Sequence, residues 1–198
     1  MEDMKPQLEG KAFIVRFADD FIIGVSNEKD ANTIMEALPV RFNQYGLTIH
    51  PEKTKLVPFK RPKWSAEKPG DDSQSFSFLG FTHYWGKSLK GYWVVKRKTD
   101  SKKLRSKLKA ITEWCKKNRH KPVKQQQETL TSKLRGHYQY YGINGNYRSL
   151  SNYLHEVKKT WRKWLNRRTR KGRMNWDAFN DFLKSFPLPN PKIAHSNV

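Results

Sequence analysis

Apolar residues run in short blocks through the first half of the chain and recur every three or four positions through the second. Phe13-Ile14-Val15-Arg16-Phe17 and Phe21-Ile22-Ile23-Gly24-Val25 are β-branched and aromatic runs on either side of Ala18-Asp19-Asp20, which predicts a hairpin. Residues 28–45 switch to helical spacing, with Ser26 or Asn27 as cap and Ile34, Leu38 and Phe42 four apart. Pro39 lacks a backbone donor and is expected to kink or split that helix, and Gly46 to end it. Residues 47–49 and 54–59 predict two short strands around His50-Pro51-Glu52-Lys53. Residues 61–75, rich in Lys, Pro, Asp and Ser, predict a surface loop. Residues 76–85 and 92–95 predict a second hairpin that turns through 86–91.

Near Lys96 helix signals replace strand signals. Asp100 or Ser101 caps a helix expected to run to about Asn118; residues 123–141 predict a second and 150–169 a third, and Asn175 or Asp177 starts a short fourth before Pro187. In the third, Leu150, Tyr153, Leu154, Val157, Trp161, Trp164 and Leu165 form one apolar stripe between basic positions. That stripe reads as core. The fold class is therefore α+β, with an α+β portion over 1–95 and a helical bundle over 96–198.

Charge sharpens this division. Residues 1–72 carry 11 basic and 12 acidic side chains, while 96–173 carry 25 basic and 4 acidic, nearly the whole of the net +22. Such an excess repels itself unless a polyanion or counterions balance it. With a pI of about 10.1, the balance points to nucleic acid rather than to an anionic membrane surface, because the apolar faces are committed to a core. The cations expected to meet RNA phosphates are Lys102, Lys103, Arg105, Lys107, Lys109, Arg135, Lys158, Lys159, Arg162, Lys163, Arg167 and Arg168. One cysteine, Cys115, excludes an intramolecular disulfide, and no segment reads as a membrane span or signal peptide, so a cytoplasmic protein is expected.

The chemistry-bearing feature is the acidic turn. Adjacent carboxylates repel unless a cation compensates, and Mg²⁺ prefers oxygen ligands and bridges carboxylates to phosphates. Asp19 and Asp20 could thus present metal at a nucleotidyl-transfer site, or form a solvated Asp-Asp turn, since Asp is favoured in turns anyway. Gly142-Ile143-Asn144-Gly145-Asn146 could be a backbone-clamping GxxG loop, but reads better as a turn with Gly142 at a helix C-cap. His137, Tyr138, Tyr140 and Tyr141 share a helix and read as core, the alternative being that Tyr140 or an adjacent aromatic reaches RNA.

Four segments in order resemble one family, the group II intron-encoded reverse transcriptases, or maturases. Phe17-Ala18-Asp19-Asp20-Phe21 is similar to the active-site turn, and Gly46-Leu47-Thr48-Ile49-His50-Pro51-Glu52-Lys53-Thr54 to the block that follows it. Phe76-Ser77-Phe78-Leu79-Gly80-Phe81 resembles the primer grip. Residues 134–141 and 186–193 resemble the thumb, or maturase domain X.

The resemblance implies the end of a polymerase palm over 1–95 and a helical thumb over 96–198. It implies an RNA-directed DNA polymerase using Mg²⁺, an RNA template and a DNA primer, with intron-RNA binding that assists splicing. Asp19 would be the principal metal ligand and Asp20 the less direct one. Lys53 would approach the triphosphate, and Leu79 and Gly80 would position the primer. Family members also carry fingers and an earlier palm half with a further aspartate; only about 18 residues precede Asp19 here. The chain is therefore expected to be a C-terminal half, inactive alone, with a fingers and palm fragment as a possible partner. No endonuclease is expected, because Cys115, His120 and His137 lack ligand spacing. The alternatives are a stand-alone RNA-binding splicing cofactor and a degenerate remnant.

Overall fold

The computed structural model describes residues 8–168 and 173–195. Among the described residues, five helices and two small antiparallel sheets make an α+β fold. The chain divides into two compact units. One runs to Leu79 and takes in Tyr84–Val95; the other comprises Gly80–His83 and the chain from Lys96.

In the first unit, β1 (Ala12–Phe17) and β2 (Asp20–Val25) pair antiparallel, from Ala12 opposite Val25 to Phe17 opposite Asp20. α1 (Glu28–Asn43) packs beside β2, with Phe21 and Phe42 stacked at 5.8 Å and Ala31 and Ile34 buried. Its cap is a built network. Asn27 accepts from the Asp30 N–H at 2.7 Å, and the Asp30 carboxylate accepts from the Glu9 and Gly10 N–H groups and from the Asn27 amide. Burial alone would raise the Asp30 pKa; these donors, with Lys29 beside it, outweigh burial and hold it below its ordinary value. Pro39 sits inside α1 without splitting it. Past the helix, Gly46 adopts φ 66° and the Leu47 N–H returns to the Phe42 carbonyl at 3.0 Å.

Two expected strands are not there. Residues 47–49 and 54–58 are irregular, and only Phe59 bridges Ser73. A strand needs an edge to pair with, and Pro58 removes a ladder donor at the critical position. The 76–85 strand is also cut. β3 (Phe76–Phe78) ends at Leu79 and Gly80, whose φ values of 48° and 77° make a two-residue turn into β4 (Phe81–Lys87). Positive φ at both central positions is the signature of a tight hairpin turn. β5 (Trp93–Thr99) completes the sheet in the order β3-β4-β5 and runs four residues beyond the expected end.

The second unit is built on helices whose limits follow from their ends. α2 (Ser101–Asn118) is capped by Asp100, which accepts from the Lys102 and Lys103 N–H groups at 2.9 and 3.0 Å. α3 (Val123–Tyr141) follows Pro122, and α4 (Tyr147–Leu165) starts one turn earlier than expected. The expected end of that helix, Thr169, lies outside the described residues. α5 (Trp176–Ser185) is capped by Asn175. The whole α4 stripe is buried, and Leu130, Leu134, Leu150, Val157, Trp161 and Phe179 are fully enclosed. Each such side chain contributes about 1.5–3 kcal/mol from burial.

Gln126 and Asn146 are buried polar residues of this core that find partners. The Trp161 indole N–H donates to Gln126 Oε1 at 3.0 Å, while Gln126 Nε2 donates to the carbonyls of Arg119 and Lys121. Asn146, fully buried, accepts from the Thr99 N–H and donates to Thr99 Oγ1 and the Tyr141 carbonyl. Residues 142–146 form the α3–α4 turn. A C-terminal strap crosses it: the Ala194 and His195 N–H groups donate to the Gly142 carbonyl at 2.7 and 2.9 Å. A Cβ on Gly142 would lie 2.7 Å from the Lys192 carbonyl oxygen and 2.8 Å from the Ala194 nitrogen, so only glycine lets the strap lie so close.

The acidic turn and the cationic helices

The acidic turn is a two-residue loop closing β1 onto β2, with Phe17 and Asp20 as the last pair. Ala18 is forced to φ 53°, a left-handed conformation that costs a non-glycine residue about 1–2 kcal/mol. Arg16 Nε donates to the Ala18 carbonyl at 2.8 Å and braces the strained backbone. Asp19 and Asp20 are both exposed beyond this brace. A two-residue hairpin loop calls for positive φ, which accounts for the conformation of Ala18.

The pair does not complete a metal centre. Among the described residues no group of three or more His, Cys, Asp or Glu side chains could hold an ion. Mg²⁺ requires near-octahedral oxygen coordination, and two neighbouring carboxylates from one hairpin supply too little of it. Lys53 lies in the turn at 51–53, where its N–H and that of Thr54 both donate to the His50 carbonyl. No hydrogen bond or ion pair among the described residues joins Lys53 to Asp19 or Asp20. Leu79 and Gly80 form the β3–β4 turn. A Cβ on Gly80 would meet the Tyr141 hydroxyl at 2.9 Å, and the Gly80 carbonyl accepts from the Asp100 N–H.

The cations occupy helix surfaces. On α2, Lys102, Lys103, Arg105, Lys107 and Lys109 are all exposed, as is Arg135 on α3. On α4, Lys159 and Lys163 are exposed, and Lys158 and Arg162 are half-buried. Arg167 is exposed and Arg168 half-buried just past the helix end. Lys159 pairs with Glu156 at 3.4 Å; its neighbours lining the adjoining cavity have no acidic companion there.

That cavity, of about 430 Å³, is lined by Lys159, Arg162, Lys163, Asn166, Arg167 and Arg173. Two of these residues are tied to Met174, whose N–H donates to Asn166 Oδ1 and whose carbonyl accepts from Asn166 Nδ2 and Arg162 Nη1. The Arg162 guanidinium also lies 4.1 Å from the centre of the Trp176 ring. Arg173 is a participant that sequence reasoning passed over; the basic run around it was the available signal. A concave surface carrying five cations and no carboxylate suits phosphate groups.

The aromatic positions divide as expected for a core helix. His137, Tyr138 and Tyr141 are buried, whereas Tyr140 is 54% exposed. Burial, and then the Lys107 charge, push the His137 imidazole down to about 4. No curated protein and no solved structure matches this chain. Residues 1–83, the stretch that carries the acidic turn and the β3–β4 turn, match the family model of the reverse transcriptase (RNA-dependent DNA polymerase), and that match supports a reverse transcriptase.

Proposed function

We propose that this chain is the later palm and thumb of a group II intron reverse transcriptase, and that its helical unit binds structured intron RNA to assist splicing. The supporting observation is the cationic surface of α2 and α4, carried in the same chain as a segment that matches a polymerase family. Structured RNA is recognised mainly through its shape, phosphates and 2′-hydroxyls, and broad basic helix faces meet that need. Arg162 is pre-organised by Met174 and Trp176, so less side-chain freedom is lost when it engages a phosphate. Lys159, Lys163 and Arg167 add charge beside it, Lys159 paired with Glu156 and Lys163 and Arg167 lying over the Trp164 ring.

For polymerisation, Asp19 and Asp20 are the proposed metal ligands and Lys53 the proposed triphosphate contact. Leu79 and Gly80 are proposed to steer the primer, with Gly80 allowing close backbone approach. The described residues do not fit a complete Mg²⁺ site. The same observation favours a second reading, RNA binding without polymerisation by this chain alone. The proposed compartment is a reducing cytoplasm, in keeping with a single, free cysteine, Cys115.

Two assays on the full chain test the proposal. RNA retention should fall steeply with salt, and replacing Lys159, Lys163 and Arg167 with Gln should flatten the slope by about 0.7–0.9 per lost phosphate contact. An unchanged slope would remove the α4 surface from the RNA interface. Primer extension that is present, and lost in Asp19→Asn, would establish polymerase activity for this chain. Its absence alongside salt-sensitive retention would leave the binding role.

A further inference from the structure

A second cavity, of about 470 Å³, opens within the helical unit between α2, α3 and α4. Apart from Lys107, it lies among side chains that the proposed phosphate contacts do not explain. Its aromatic wall is His137, Tyr140 and Tyr153; the His137 and Tyr153 rings stack with centroids 3.8 Å apart and 21° between planes. Lys107 of α2 and Lys133 of α3 stand at the same cavity, and no carboxylate lines it.

Two details make this more than loose packing. His137 is only 6% exposed, yet neither ring nitrogen has a hydrogen-bond partner. Buried polar nitrogens are normally satisfied, so this lining residue keeps a donor and an acceptor with no partner among the described residues. Gly136 is the second. It sits in the interior of α3, where glycine weakens a helix, and a Cβ built on it would meet nothing within 4 Å. No neighbour packs against it, so helix packing does not account for the missing side chain.

The size falls within the range of small-molecule pockets, too large for a lone ion. The aromatic wall calls for a planar ring, the imidazole for polar ring edges, and the two lysines for an anion attached to that ring. We infer that this cavity binds one nucleotide unit, with its base against the His137–Tyr153 wall and its phosphate on Lys107 and Lys133. As a nucleotide of an unpaired RNA strand, this occupant rests on the RNA-binding reading above; as a free nucleotide it does not.

Binding of a short adenosine-only RNA, the same RNA without bases, and free AMP to the full chain tests the inference. The comparison variants are Gly136→Leu, which fills the cavity, and Lys107→Gln with Lys133→Gln. Loss of base stacking predicts that Gly136→Leu weakens the base-bearing RNA roughly tenfold and leaves the baseless RNA unchanged. The lysine pair should weaken AMP more than adenosine, a readout that holds even if the leucine variant folds poorly. Equal binding of both RNAs to wild type and Gly136→Leu, with AMP unaffected by either variant, overturns the inference. If neither RNA binds, the RNA-binding reading fails by itself. Saturable AMP binding lost in Gly136→Leu then upholds the cavity with a free nucleotide as its source, and no AMP binding overturns it.

Discussion

Acid should loosen the helical unit through one side chain. His137 is buried among Tyr138 and Tyr141 on its own helix, Tyr153 on α4 and Lys107 on α2. Burial raises the pKa of each of the three tyrosines, so none of them titrates in the acid range. Burial holds the imidazole at about 4 against an ordinary 6.5. The unfolded chain therefore takes up a proton first as pH falls, and the stability present above about 6.5 is lost on the way down to about 4. The loss between pH 7 and pH 5 comes to about 2 kcal/mol, and reaches about 3 kcal/mol by pH 4. His83, also lowered chiefly by burial, adds a change of the same sign, as does general repulsion in a chain of net charge +22. The informative quantity is thus the difference between wild type and His137→Phe, which keeps a ring against Tyr153 and removes both nitrogens. Urea unfolding followed by helix circular dichroism at several pH values measures it. The variant should be at least as stable as wild type at pH 7 and pull ahead as pH falls. Parallel loss in the two proteins from pH 7 to pH 5 would refute a neutral, buried imidazole.

Three further outcomes follow from particular contacts. Gln126→Leu strips partners from the Trp161 indole and the Arg119 and Lys121 carbonyls, and should cost about 2–3 kcal/mol in urea unfolding; a loss near zero would mean the three groups find other partners. Gly80→Ala places a Cβ 2.9 Å from the Tyr141 hydroxyl at φ 77°, so the thermal midpoint should drop by several degrees, as a loss of about 1–2 kcal/mol implies. An unchanged midpoint would contradict the turn. At Ala18, glycine should be tolerated and valine should open the hairpin, because a β-branched residue resists φ 53°; equal amide-exchange protection across the β1–β2 pairs in both variants would deny the strained loop.

How far the sequence could be read depended on whether a structure is made by neighbours or by distant partners. The helices of the second unit were legible because Leu150 to Leu165 repeat with helical spacing and Asp100 and Asn175 announce the starts. The β1–β2 hairpin was legible because two apolar runs flank a short polar break. Strands at 47–49 and 54–59 were misread because apolar composition alone does not create a pairing edge. Leu79-Gly80 hid inside a Phe-rich run, although its glycine was the sign of a turn. The nucleotide-sized cavity was invisible for a different reason. Lys107, His137 and Tyr153 are far apart in the chain and meet only when three helices pack. The acidic pair was plain, but a pair of neighbours says nothing of which distant groups would join them.

The strap over Gly142 bears on how fast this protein reaches its native state. Helical bundles fold quickly when their contacts are local. Here Gln127 donates to the Pro187 carbonyl across 60 residues, and the Tyr138 hydroxyl donates to the Pro189 carbonyl across 51. Leu188 is buried in the same core. The helices can form within microseconds, yet the bundle is not sealed until a largely irregular tail finds the far end of α3. The loop closure that this requires makes docking of the tail, rather than helix formation, the slow event in folding of the helical unit.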